Sequence, residues 1–119
     1  SIVLSPQQAL RLLADVALAV VCEKGPQGHP DFTFRQLSIL MTIYLEKPPH
    51  TVRGIAARLG VTKPVVTRAL DSLGALELVT RRRDEADRRN VIVQRTVKGA
   101  LFVEQLGDLV VERAKGLAP

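Results

Sequence analysis

The 119-residue sequence has no tryptophan, one tyrosine and three phenylalanines. So thin an aromatic complement argues against a reader of single-stranded DNA or RNA, which stacks splayed bases on aromatic platforms. A single cysteine, Cys22, cannot form an internal disulfide and suits a reducing cytoplasm. Cys22, His29 and His50 show no C-x-x-C or H-x-x-x-H spacing, so no metal is expected. The longest uninterrupted apolar run, Val16 to Cys22, is seven residues, far below the roughly 20 that cross a bilayer. Ser-His-Asp sets, paired carboxylates and glycine-rich phosphate loops are also missing, which excludes an enzyme and a cofactor. No signal-peptide pattern opens the chain, and the missing initiator Met points to a processed or trimmed start.

What is present is an uneven charge. The formal net charge is +5, and it lies wholly between Thr51 and Arg95. Four bases and four acids precede residue 51, and three of each follow Arg95. Confined to so short a stretch, this excess is the electrostatic footprint of a phosphate-binding surface. The 46% hydrophobic content excludes a disordered tail. The length suits one domain, residues 1–119, with a modest core.

Capping signals divide the chain. Ser5-Pro6, with Gln8 three residues after Ser5, predicts a helix to about Glu23. That helix is apolar nearly all round, which calls for more cover than one small domain supplies. After the Gly- and Pro-rich stretch Gly25 to Pro30, Thr33 and Gln36 predict a second capping box. Phe34, Leu37, Leu40, Met41, Tyr44 and Leu45 are spaced for burial, and Pro48-Pro49 ends that helix. Thr51 caps a short third helix, ended by Gly60; Thr62 caps a fourth, running to about Leu76. Two strands, Leu78 to Arg82 and Asn90 to Thr96, are expected next. Thr96 then caps a last helix over Val97 to Ala114. The fold class is mainly α with a small β-hairpin, in the order α-α-α-α-β-β-α.

The third and fourth helices carry the sharpest pattern. Small Ala56 stands four positions before Gly60, where two helices cross closely, and Gly60 can take the positive φ of a tight turn. An ordinary helical hairpin is the bland alternative. A capped second helix, a basic outer face and a hairpin directly after it favour a winged helix-turn-helix.

Val61-Thr62-Lys63-Pro64-Val65-Val66-Thr67-Arg68 resembles the start of the recognition helix of MarR-family regulators. Asp87, Arg89, Val93 and Thr96 match that family's wing signature, D-x-R-x-x-x-V-x-L-T, with Arg95 where the family usually has Leu. Glu77 stands where a glycine is common, and the chain ends where relatives commonly add a sixth helix. The resemblance implies a homodimeric transcriptional regulator of bacterial or archaeal cytoplasm, usually a repressor, on palindromic duplex DNA. Residues 31–96 would then bind DNA, and 1–30 with 97–119 would dimerise. Thr62, Lys63, Pro64, Val65, Thr67 and Arg68 would face the major groove, Arg68 forking onto guanine. Arg82 would hold phosphate, and Arg88 and Arg89 suit a narrow minor groove. For Arg68 the alternative is pairing with Asp71 or Ser72; for Arg89 it is an ion pair that stabilises the wing.

The resemblance also implies a small aromatic or acidic ligand. Its crevice would be walled by Phe34, Met41, Tyr44 and Phe102, with Lys24, His29 or Arg35 meeting a carboxylate. The alternative is that the four apolar residues are core. For Cys22, apolar neighbours favour a buried, inert filler over an oxidant sensor. The competing function class is a winged helix kept as a protein-interaction module, which would not need so many arginines.

Overall fold

The computed structural model describes residues 3–22 and 31–119. The order is α1 (Pro6–Cys22), α2 (Phe34–Leu45), β1 (His50–Thr51), α3 (Val52–Leu59), α4 (Lys63–Ala75), β2 (Val79–Arg83), β3 (Val91–Arg95) and α5 (Val97–Lys115). Two compact units contain these elements. One comprises Ser1–Asp31 with Glu104–Pro119, the other Phe32–Val103. Lys24, His29 and the rest of the Gly- and Pro-rich segment lie outside the described residues.

In the first unit the Ser5 capping box forms as its sequence requires. Gln8 N donates to Ser5 Oγ at 3.1 Å, and Ser5 N donates back to Gln8 Oε1 at 2.9 Å. The Gln8 amide also donates to the Ala118 carbonyl at 2.9 Å. Along α1 only Ala19 is buried, while Leu10, Leu13, Leu18 and Val21 remain exposed. Cys22 is exposed as well, contrary to the buried filler expected from its neighbours. Of its apolar neighbours Val21 and Leu18 are exposed with it, whereas Ala19 is buried.

The second unit holds the core. Ile39, Leu40 and Ile43 of α2 meet Ile55 and Ala56 of α3, Val66, Leu70 and Leu73 of α4, and Val79 and Val93 of the strands. The Thr33–Gln36 capping box forms. Of the expected stripe on α2, Leu40 is buried and Met41 and Tyr44 pack against the core, while Ile39 and Ile43, not in that stripe, are fully buried. Phe34 and Leu45 are 80% and 73% exposed. At about 100° per residue both lie roughly opposite Ile43. Leu40, Met41 and Tyr44 are shared by the expected stripe and the observed core, while Phe34 and Leu45 at its ends are left outside.

The sheet is antiparallel with strand order β1-β3-β2. Its third strand departs from the expected hairpin, because β1 is two residues long and has no alternation to show. It exists through pairing, with His50 opposite Val93 and Thr51 opposite Ile92. His50 is therefore buried in a strand. The hairpin strands lie one residue from their expected starts, at Val79 and Val91.

At the exit from α4 the chain adopts a left-handed conformation without a glycine. Glu77 has φ 61°, where a Cβ crowds the backbone and costs about 1–2 kcal/mol. Its ion pair with Lys98, at 3.5 Å and well exposed, contributes little in return. Glu77→Gly is expected to raise stability by about 1 kcal/mol despite the added freedom of the unfolded chain. Chemical denaturation checks this, and an unchanged or lower midpoint would reject the strain at Glu77.

Candidate nucleic-acid interface

The turn between α3 and α4 aims the second helix outward. Thr51 Oγ1 accepts from Gly54 N at 3.0 Å and fixes the start of α3. Gly60 takes φ 68°, and Val61 N returns to Ala56 O at 3.0 Å, so the helices cross over a buried alanine. Thr62 occupies the N-cap of α4 with extended backbone, but its side chain makes no capping hydrogen bond. This corrects the expected cap. The hydroxyl is left beside first-turn N–H groups that have no intrahelical acceptor. Lys63, Pro64, Thr67 and Arg68 are exposed, while Val65 is half-buried.

Arg68 makes no ion pair among the described residues. Its nearest candidate, Asp71, is occupied by Arg81 at 2.7 Å, and the Ser72 hydroxyl donates to the Arg68 backbone carbonyl rather than meeting its guanidinium. The guanidinium therefore stands free on the outer face of α4. Strand alternation places Arg82 on the opposite face of β2 from Arg81 and Arg83. β2 is an edge strand, and all its arginines are exposed.

An aspartate locks the wing tip. Asp87 Oδ1 accepts from Arg89 N and Nε, both at 3.1 Å, and Oδ2 accepts from Nη2 at 3.3 Å. The Arg89 side-chain bond is the main cause that lowers the Asp87 pKa below 3.8; the Arg89 amide and the charge of Arg53 help, and desolvation opposes. The lock therefore holds above the ordinary carboxylate range and is released only as pH falls through the depressed value. Arg89 is the wing-stabilising partner. Arg88 has its carbonyl bonded by Arg83 Nη1 at 2.9 Å, and its own guanidinium is unpaired among the described residues.

Between these parts lies a cleft of about 570 Å³. It gathers Lys63, Thr67, Arg82 and Arg89, together with Arg81 and Arg83 of the same arginine run and with Arg53 and Asn90, which the sequence does not single out. Arg53 lies two positions from buried Ile55, on the outward side of α3, and that phase was the available signal. Thr62, Pro64, Val65, Arg68 and Arg88 lie outside the cleft. A concave surface with so many cations attracts a polyanion.

Several arginines counted in the charge excess are engaged elsewhere. Arg81 holds Asp71 at 2.7 Å, and Arg58 holds Glu46 at 2.6 Å. Arg95 donates to the carbonyls of Ile43 and Glu46. The free cationic surface is narrower than the sequence count suggests.

Of the residues expected to wall a ligand crevice, Phe34 is exposed. Met41, Tyr44 and Phe102 pack against the core of the second unit. The Tyr44 hydroxyl donates to Leu78 O at 2.6 Å and accepts from Thr96 N at 3.0 Å. Phe102 meets Phe32 edge-on, with ring centroids 5.6 Å apart. Arg35 is exposed on α2. Among the described residues no cluster of three or more metal-ligating side chains occurs, and no helix is long and apolar enough to cross a membrane.

The MarR family model matches residues 31–90, just over half of the 119-residue chain. The transcriptional regulator BldR of Sulfolobus solfataricus is 28% identical, with a TM-score of 0.61 over 88% of this chain and 68% of that one. The transcriptional repressor CouR, solved on a 23-mer DNA duplex, is also 28% identical. Its TM-score is 0.68, over 92% of this chain and 72% of that one. A mutant of S. aureus MepR, at 21% identity, shares the fold with a TM-score of 0.71 over 96% of this chain and 82% of that one. No curated protein matches the chain.

Proposed function

Since the chain belongs to the MarR family of DNA-binding transcriptional regulators, we propose that it is a repressor acting as a homodimer on a palindromic operator. The observation that carries this reading is the free cationic surface spanning α4 and the wing, with Arg68 unpaired and Lys63, Thr67 and Arg82 beside the cleft. In it α4 enters the major groove by its first two turns, presenting Thr62, Lys63, Pro64, Val65, Thr67 and Arg68. Arg68 reads guanine, Arg82 holds phosphate, and Arg88 extends towards the minor groove with Arg89 braced behind it by Asp87. Structures of CouR, MepR and AbfR on DNA support a duplex partner. A cytoplasmic location follows from that partner.

Self-association is supported by Leu10, Leu13 and Leu18 of α1 and by Val111 of α5, each more than half exposed. Apolar side chains at this density favour burial against a second copy. A two-fold dimer with recognition helices roughly 34–36 Å apart is expected. Sedimentation at micromolar concentration checks this, and a monomer there would reject the dimer. Electrophoretic shifts with genomic fragments at stated salt test DNA binding, and absence of any sequence-selective shift would reject the function. A small aromatic or acidic ligand would release DNA only by favouring one dimer geometry. Repeating the shifts with phenolic acids tests that part.

A further inference from the structure

The last turn of a helix has carbonyls without intrahelical partners. At the end of α2 two carbonyls are filled from the base of the wing. Arg95 Nε donates to Ile43 O at 2.8 Å, and its Nη2 donates to Glu46 O at 2.9 Å. The guanidinium also lies over the Tyr44 ring, 5.8 Å from its centroid. A cation here meets the negative end of the helix dipole. The same Glu46 carbonyl receives His50 Nε2 at 3.1 Å, and His50 is paired with Val93 of β3. β3 is thus tied to one point of α2 twice, once directly and once through β1.

Among the described residues no such attachment holds the other end of the hairpin. It projects beyond the Arg83–Val91 pair to a tip where Arg88 is unpaired among the described residues. A five-residue ribbon is roughly 16 Å long, so a small rotation at its base becomes a displacement of its tip. The geometry points to Arg95 as a positioning residue for DNA binding: its fork on the α2 C-terminus sets the wing angle and so delivers Arg88 to its phosphate or groove. This rests on the duplex-DNA reading above.

The test uses the full chain with a duplex that the wild-type protein selects from a random pool, and a scrambled duplex as reference. Binding is measured well below the melting temperature of every variant. Arg95→Leu is expected to weaken binding about tenfold, the effect of removing one charge-assisted hydrogen bond at the tip. The ranking of single-base variants of the selected duplex stays unchanged, because α4 is not displaced. Hydroxyl-radical protection of the minor groove flanking the site should fade. Arg88→Ala should weaken binding by a similar factor, and the double variant should bind little worse than either alone, since both act through the tip. Should Arg95→Leu fail to fold, Arg95→Lys is taken through the same cycle; it keeps the charge but not the planar fork. Additive effects, or a lower melting temperature with unchanged affinity, overturn the positioning role. Wild-type protein that selects no duplex overturns the DNA reading and the clamp together. Wild-type binding with additive effects overturns the clamp alone.

Discussion

Gly99→Ala is expected to remove about 3–5 kcal/mol of folding stability, against an ordinary total of about 5–15 kcal/mol. Helix propensity alone predicts the opposite sign, a gain of about 1 kcal/mol on replacing glycine by alanine inside a helix. Packing decides the matter. Gly99 is buried in the first turn of α5, and an added Cβ there would overlap the Tyr44 hydroxyl and the Leu78 carbonyl. Neither can retreat cheaply. Tyr44 donates to Leu78 O at 2.6 Å and accepts from Thr96 N at 3.0 Å, while Thr96 Oγ1 caps Gly99 N at 2.9 Å and donates to Glu77 O at 2.7 Å. Displacing the phenol leaves half-buried donors and acceptors unpaired, and each costs about 1–3 kcal/mol. Urea denaturation measures the change. A value below about 1 kcal/mol would mean that the junction yields, and that close packing there is not needed.

Arg68→Ala is expected to cost about 1–3 kcal/mol on the preferred operator and to relax preference at one base pair per half-site. The basis is its freedom, since Asp71 is held by Arg81 at 2.7 Å and no other acid pairs with Arg68 among the described residues. Arg82→Ala provides the contrast. It should weaken all sequences alike and reduce the salt slope by about 1, because a phosphate contact acts through counterion release. Binding titrations at several salt concentrations separate the two effects. Unchanged sequence preference in Arg68→Ala would remove Arg68 from the reading surface.

Local signals determined much of this molecule. Ser5, Thr33, Thr51 and Thr96 each mark a helix start because a hydroxyl three residues ahead of an amide is a capping geometry that needs no distant partner. Gly60 marks the turn because a positive φ is a property of one residue. The D-x-R spacing of Asp87 and Arg89 holds within three residues, so that lock too is legible, although spacing alone does not say whether Arg89 braces the wing or reaches for a groove. Tertiary structure decided the rest. β1 exists only by pairing with β3, and a two-residue strand has no period to read. The buried face of α2 was chosen by what α3, α4 and the sheet present to it, which left Phe34 and Leu45 outside. Arg58, Arg81 and Arg95 count towards a basic surface until folding supplies acceptors from other elements. Formal charge is additive along a chain, whereas available charge depends on which partner comes within hydrogen-bond reach, and only the fold brings residues 43 and 95 together.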